Sequence, residues 1–514
     1  MFLYKSIFKK LRWVKTEFLL IIILLFALGL RLIFFAGVNT SDDAIYYNSA
    51  HDILIGNFKP GWVMNLRVML LYPVAFFFWL FGINNFSAGL WPLICSLGTL
   101  VAIYKIGEMM FNKKVGLLAA FLFSFYPLEV IYGTRLAADI PTEFFVVLSV
   151  FLFLKGLMKK RESILFFSVG VAAGLSYLVK ELGLLVFVFY LAYIIFDILK
   201  KRKINWNYFF IFLGFLSVFA LEGLYYYSTT GDFLQRFHES IKTYGVTSGY
   251  WGKGIQPIDI FTFYPPAMLN LANYYPSPNT RIYGFFFYFV IIAIAYFLIK
   301  KEKKSYILIL WLVSLFLYLQ IGTRSISQYL IFGKEMRFLT LISAPALILV
   351  AAFFLSENKL IKKFIQPISI LFLFFTSIYY SYFLANYLNY GMGECGCLRV
   401  SDIKHVAEFV KSNPTITTYV DSGVYDNIRF FLAYNTTNLK IANSMNKNDI
   451  KNAYVVVNTS LPLLNSCTFE REKSREIVPD FLCKPPEEWK LIKIIGGKDG
   501  TTNREYNPAI FYAE

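Results

Sequence analysis

Val68-Met-Leu-Leu-Tyr-Pro73-Val-Ala-Phe-Phe-Phe-Trp-Leu-Phe81 is the stretch that decides the topology of this chain. It is apolar from end to end, yet with Gly82 it is only about 15 residues, short of the roughly 20 that a helix needs to cross a bilayer. Pro73 also removes a backbone donor from its middle. These features predict a helix lying in the membrane interface, not one that crosses it. The basic residues argue the same way through parity. Lys5, Lys9, Lys10, Arg12 and Lys15 precede the first apolar run, and later clusters stand at Lys113-Lys114, Lys159-Lys160-Arg161, Lys200-Lys201-Arg202-Lys203, Lys300-Lys301 with Lys303-Lys304, and Lys362-Lys363. All of them share one face, the cytoplasmic one by the positive-inside rule, only if 68–82 does not cross.

Working outward, apolar runs at 18–35, 88–110, 115–131, 140–157, 163–179, 182–199, 207–227, 282–299, 305–321, 337–355 and 364–388 predict about eleven transmembrane helices. The composition demands such a reading: 57% hydrophobic residues, with 55 Phe in 514, is more apolar surface than one soluble core buries. A net charge of +17 would suggest nucleic acid in a soluble protein, but these cations flank apolar runs, so no nucleic-acid partner is expected and membrane lipids are. The first run is span length, lacks a small-residue cleavage site, and is read as a retained helix. The predicted architecture is therefore a polytopic α-helical membrane domain over 1–388, with external interfacial helices, and an extracytoplasmic α/β accessory domain over 389–514. An odd number of spans leaves the N-terminus cytoplasmic and the C-terminal part outside.

In that C-terminal part a helical pattern at 401–412, an apolar run 416–420, a helix at 423–434 and strand-like segments at 453–457, 491–495 and 509–512 suggest a small α/β fold. Of the five cysteines, Cys95 lies in a span, and Cys395, Cys397, Cys467 and Cys483 fall outside, where three disulfide connectivities are open. A metal site at Cys395-Gly-Cys397 is the rival reading, disfavoured by its one-residue spacing.

Just after the first span comes Asn39-Thr-Ser-Asp42-Asp43-Ala-Ile-Tyr46-Tyr47. Two adjacent carboxylates at a membrane surface are costly unless they face water, a cation or a substrate. They also suit a helix N-terminus. On the same expected face the helix ends carry both signs of charge, among them Arg31, Arg67, Glu129, Arg135, Asp139, Glu143, Lys180, Glu181, Glu222, Arg236, Lys242, Arg281, Lys334, Glu335 and Arg337. Basic groups there hold an anionic headgroup and acids do proton chemistry, as transfer of a sugar from a polyprenyl phosphate requires. Arg67, Lys180, Lys242, Arg281 and Arg337 are the candidates for the donor phosphate.

The succession Arg31, Asp42-Asp43-x-x-Tyr46-Tyr47, Leu80-Phe-Gly-Ile-Asn84-Asn85-Phe86, Thr134-Arg-Leu-Ala-Ala-Asp139, Leu178-Val-Lys180, Gly231-Asp-Phe233 and Arg337-Phe338 with Pro345 resembles the GT-C glycosyltransferases that use polyprenyl-phosphate sugars. Within them it is similar to the lipid A aminoarabinose transferase and protein O-mannosyltransferase group. The resemblance implies a helix bundle with interfacial helices, an inverting transfer to a lipid, glycan or protein acceptor, Asp42 as base aided by Asp43, Asp139 as an orienting acid, and Lys180 and Arg67 toward the donor. Two departures bear on metal. Asn65 stands where the family has an acid before Arg67, and the family's loop histidine falls at Lys242, with His238 four positions earlier. No metal or other cofactor is expected on that basis. A transporter or flippase of lipid-linked sugars is the competing class, disfavoured because no internal repeat or pair of broken helices is visible.

Overall fold

The structure, a computed structural model, describes residues 2–40, 42–158, 163–244, 263–271, 282–323, 329, 333–356, 364–390, 399–457, 479–482, 485–495 and 509–513. Arg281 and the four cysteines Cys395, Cys397, Cys467 and Cys483 lie outside the described residues.

The helices, in chain order, are α1 (Phe2–Ile33), α2 (Asp42–Leu54), α3 (Val68–Phe81), α4 (Asn85–Met110), α5 (Lys113–Ser124), α6 (Pro127–Tyr132), α7 (Asp139–Met158), α8 (Ser163–Val179), α9 (Val186–Lys201), α10 (Phe209–Thr230), α11 (Gln235–Tyr244), α12 (Tyr264–Met268), α13 (Phe286–Lys300), α14 (Tyr306–Ile321), α15 (Thr340–Phe354), α16 (Gln366–Tyr390), α17 (Val400–Ser412) and α18 (Ser422–Phe431). Every run expected to span coincides with helix. Seven stretches among the described residues are long and apolar enough to cross a bilayer: Thr16–Ile33, Asn85–Met110, Asp139–Met158, Glu181–Lys201, Trp206–Thr230, Met336–Phe354 and Gln366–Asn386.

Val68–Phe81 forms the short helix that its sequence suggests, 14 residues with Pro73 inside. Length alone does not set it apart, because α8, α13 and α14, all expected as spans, have only 17, 15 and 16 residues. The run 115–131 departs from expectation, since it is two helices. α5 ends at Ser124, Tyr126 is extended with ψ 121°, and Pro127 opens α6. The proline ring disfavours the α conformation in the residue before it, which ends one helix and starts the next.

The chain divides into two compact units, Met1–Phe35 with Phe58–Pro73 and Gly89–Leu384, and Ala36–Asn57 with Val74–Ala88 and Ala385–Glu514. The first is the helix bundle. At its centre the window Met336–Phe354 is 94% buried, whereas Thr16–Ile33 is 17% buried and presents its side chains outward. α8 packs most closely on α7 and α10. Glycine permits the α8–α10 approach: a Cβ on Gly170 would lie 1.9 Å from the Ile211 carbonyl oxygen, and one on Gly214 would lie 2.0 Å from that of Phe167. Lipid tails are as apolar as leucine, so helices in a bilayer associate through such close backbone contact.

The second unit contains a five-stranded sheet ordered β2-β1-β3-β5-β4, from β1 (Thr418–Val420), β2 (Leu439–Ile441), β3 (Ala453–Val457), β4 (Lys490–Ile494) and β5 (Ala509–Ala513). β1 runs parallel to β2 and β3, and β5 antiparallel to β3 and β4. Ile403, Val406 and Val410 of α17, with Val424 and Ile428 of α18, close its core against Val420, Val456 and Ile510. The small α/β fold expected here is thus present, with β2 added. The same unit includes α2, which packs on α18.

Candidate active site

In the bundle, α8 ends at Val179 and Lys180 is extended, with φ −160° and ψ 142°. Successive side chains on extended backbone point opposite ways. Lys180 and Glu181 therefore serve different partners. Lys180 Nζ donates to Asp139 Oδ1 at 2.7 Å, and its ammonium lies 4.5 Å from the centre of the Phe338 ring. Asp139 opens α7, and its other oxygen lies 3.6 Å from Arg337 Nε. An Asp at a helix start usually caps backbone N–H groups; here the carboxylate joins two cations, and only 2% of the residue is exposed.

Glu181 turns to Arg67, Nη2 to Oε2 at 3.7 Å, and to Arg236, Nε to Oε1 at 2.9 Å. Arg236 also donates through Nη1 to Glu222 Oε1 at 2.8 Å and lies 4.4 Å over the Tyr177 ring, while its Nη2 is buried without a hydrogen-bond partner. Among the described residues, ion pairs join the cations Arg67, Lys180, Arg236 and Arg337 to the carboxylates Asp139, Glu181 and Glu222 in a mostly apolar bundle. Burial pushes the Lys180 ammonium below lysine's ordinary value, with Asp139 opposing and Arg337 and Arg67 adding to the depression. Burial would lower Arg236 too, but Glu181 and Glu222 outweigh it and raise it well above an arginine's usual value.

Tyrosines hold the backbone that presents Arg337. The Tyr264 hydroxyl donates to the Glu335 carbonyl at 3.0 Å and that of Tyr283 to the Met336 carbonyl. Lys334 has a different partner: its Nζ lies 2.5 Å from the Leu319 and Gln320 carbonyls and caps the C-terminus of α14. Lys242, expected at the donor phosphate, pairs with Glu239 at 2.5 Å on α11 and is 71% exposed.

In the second unit, Asp42 and Asp43 occupy the first turn of α2. Asp43 is fully buried and its Oδ2 accepts from the Asn39 N–H at 2.8 Å, which closes the loop before the helix. Asp42 is half-buried. Gly37 shapes the approach to this turn with φ +63°, and Val38 N–H donates to Asn85 Oδ1 at 2.8 Å. α2 is held by α18: the Tyr47 hydroxyl donates to the Asn427 carbonyl at 2.9 Å, Asn48 Nδ2 to that of Asp426 at 3.1 Å, and the Tyr434 hydroxyl to the Tyr47 carbonyl at 3.0 Å. The His51 and Tyr434 rings stack at 3.6 Å. Beside these contacts lies a cavity of about 180 Å³ lined by Ala44, Ile45, Asn48, Ser49, Asp52, Asp426 and Arg429. Asp42, Ile45, Ser49 and Asp52 are spaced three, four and three apart, so Asp42 shares a helix face with three of the lining positions.

Asn65 Oδ1 accepts from the Trp62 N–H at 2.8 Å, a local turn bond, and His238 Nδ1 lies 2.7 Å from Asp232 Oδ2 in an exposed pair. Among the described residues no three His, Cys, Asp or Glu side chains group as a metal would need.

Residues 67–222 match the dolichyl-phosphate-mannose-protein mannosyltransferase family. That segment contains Arg67, Asp139, Lys180, Glu181 and Glu222. The crystal structure of ArnT from Cupriavidus metallidurans bound to undecaprenyl phosphate superposes with a TM-score of 0.58 at 10% identity, covering 96% of this chain and 97% of that one. The chain has the GT-C glycosyltransferase fold. A second GT-C structure, the Archaeoglobus fulgidus oligosaccharyltransferase tethered with an acceptor peptide, superposes with a TM-score of 0.54 at 14% identity over 90% of this chain and 71% of that one. The archaeal oligosaccharyltransferase AglB from Archaeoglobus fulgidus, in complex with an inhibitory peptide and a dolichol-phosphate, gives 0.52 at 13% identity over 91% and 72%. No curated protein matches by sequence. With its run of apolar helices and this fold, the chain is a multi-pass membrane protein.

Proposed function

We propose that the chain transfers a sugar from a polyprenyl-phosphate carrier to a hydroxyl of a lipid, glycan or protein acceptor, with inversion at the anomeric carbon. The observation that carries this reading is the convergence of the buried Lys180 and Arg337 on Asp139, with Arg67 beside them on Glu181. When the bond between the sugar's anomeric carbon and the phosphate oxygen breaks, the carrier phosphate leaves as an anion. Lys180, Arg67 and Arg337, all buried, stabilise the charge as it grows in surroundings poor in water. Asp139 holds Lys180 and Arg337 in place between turnovers.

The acceptor oxygen attacks the opposite face of the anomeric carbon as its proton passes to Asp42, the more exposed of the two acids. Asp43, occupied with the Asn39 backbone, keeps the turn in shape. A cavity of about 180 Å³ is below the roughly 300 Å³ at which drug-sized pockets begin. It suits one small polar part of an acceptor lying along the α2 face that ends at Asp42.

Lys180→Gln is expected to raise KM for the polyprenyl-phosphate sugar by about tenfold or more, and to weaken binding of the free polyprenyl phosphate, because a charged hydrogen-bond donor is worth about 1.5–3 kcal/mol. Titration of the variant with polyprenyl phosphate and steady-state kinetics check this, and unchanged values would remove Lys180 from the donor site. The metal reading has its own check: transfer is expected to survive exhaustive chelation, and loss restored by added divalent cation would reverse it.

A further inference from the structure

A second buried charge cluster in the bundle, apart from the donor cations, joins Arg31 of α1, Glu129 of α6 and Glu143 of α7, none of them exposed at all. Ser96 bridges two of them, accepting from Arg31 Nε at 3.0 Å and donating to Glu129 Oε2 at 3.1 Å. Arg31 Nη1 donates to the Ala27 and Ser124 carbonyls at 3.2 and 3.1 Å. The Ser343 hydroxyl lies 2.5 Å from Glu143 Oε1 and 2.8 Å from the Thr340 carbonyl. That leaves Glu129 Oε1 and Glu143 Oε2 buried with no hydrogen-bond partner, both carboxyls within electrostatic reach of Arg31. The Tyr126 hydroxyl, also buried without a hydrogen-bond partner, is a further titratable group within electrostatic reach of both.

An ionised carboxylate only accepts, so two carboxyl oxygens buried without a donor are satisfied only if one of the carboxyls keeps a proton. Two ionised glutamates beside one arginine would leave a net negative charge buried in the bundle, and adjacent like charges do not both ionise. One retained proton makes the cluster neutral. The cluster also has a fixed relation to the donor cations. Glu143 is one turn after Asp139 on α7, and Ser343 follows Arg337 along Met336–Phe354, so Asp139–Arg337 and Glu143–Ser343 form two rungs between the same segments.

We propose that Glu129 and Glu143 share a single proton and, through the rung to Ser343, are positioning residues that hold Asp139 and Arg337 in register for the donor phosphate. The kinetic part rests on the donor site proposed above; the shared proton does not.

The test uses the full chain in nanodiscs. Infrared spectra of wild type minus Glu129→Gln/Glu143→Gln are expected to show a protonated-carboxyl C=O band, and its absence overturns the shared proton whatever the activity. Glu129→Gln and Glu143→Gln singly place an amide donor where the proton was and leave one carboxylate for Arg31, so each is expected to shift donor KM only a few-fold. The double variant leaves Arg31 unbalanced and is expected either to misfold or to raise donor KM by roughly tenfold to a hundredfold, as displaced binding groups do. Adding Arg31→Met to the double variant restores neutrality and is expected to recover folding and most of the donor KM. Single variants as damaged as the double, a double variant that matches wild type, or a triple variant with no recovery each overturn the positioning role.

Discussion

Asp42→Asn is expected to lower the rate of transfer by about 10²–10⁴-fold, the range over which a positioned general base contributes. The substitution keeps the shape of the side chain, so the fold and the binding of polyprenyl phosphate are expected to persist. Asp43→Asn is the informative control. Its Oδ2 accepts the Asn39 N–H inside a fully buried turn, and an asparagine oxygen accepts that bond as well. That variant is therefore expected to retain most of its activity. Rapid-quench measurement of a single turnover with a labelled donor separates the two, since it reads the chemical step apart from product release. Wild-type single-turnover rates in Asp42→Asn would exclude it as the base; equal losses in both variants would make the acidic turn structural.

Arg236→Leu is expected to cost stability more than any other single change in the donor region. The guanidinium lies between Glu181 and Glu222 at 2.9 and 2.8 Å and over the Tyr177 ring at 4.4 Å, with 2% of the residue exposed. Removing one member of a buried ion network strands its partners, at about 3–5 kcal/mol. Two carboxylates would then share a buried site with Arg67 as the remaining counter-charge, 3.7 Å from Glu181. Thermal unfolding in detergent is expected to show a much lower midpoint, partly regained when Glu222→Gln is added. A midpoint close to wild type would mean that the network relaxes or admits water at little cost.

Much of the fold is legible in the sequence because it depends on local patterns. Apolar runs place the long bundle helices but neither α11 nor α12, which lie in a stretch read as loop, and turn residues and short β-rich runs place all the strands but β2. That strand is only three residues long, Leu439–Ile441, with two of its three positions exposed, so it lacks any alternation to read. The break at Tyr126 escapes a hydropathy reading although Pro127 is in plain view, because hydropathy is blind to a residue that is apolar and also ends helices. Length, the feature that sets Val68–Phe81 apart in the sequence, is a weak criterion beside the similarly short α13 and α14.

The site is legible as an inventory and not as a wiring diagram. Charge sorting picks out Asp139, Lys180, Arg67 and Arg337. It does not reveal that Glu181, adjacent to Lys180, belongs with Arg236 and Glu222, because extended backbone at Lys180 sends neighbours to opposite partners. Lys334 and Arg337 look like one basic cluster in the sequence, yet one caps a helix and the other joins Asp139. The attachment of α2 to α18 joins residues nearly 400 positions apart through backbone carbonyls, which no side-chain pattern encodes. It gives the C-terminal sheet a part in holding the helix that bears Asp42, where the sequence suggests an accessory.

The most direct measurement is to incubate the purified chain in sealed vesicles with a panel of polyprenyl-phosphate sugars and candidate acceptors, and to follow free polyprenyl phosphate and glycosylated product together by mass analysis. Release of one polyprenyl phosphate per product formed, with the anomeric configuration inverted and with both lost in Asp42→Asn, is the expected result. Movement of intact sugar-phosphate headgroups across the bilayer with no carrier released, or transfer that retains configuration, would contradict it.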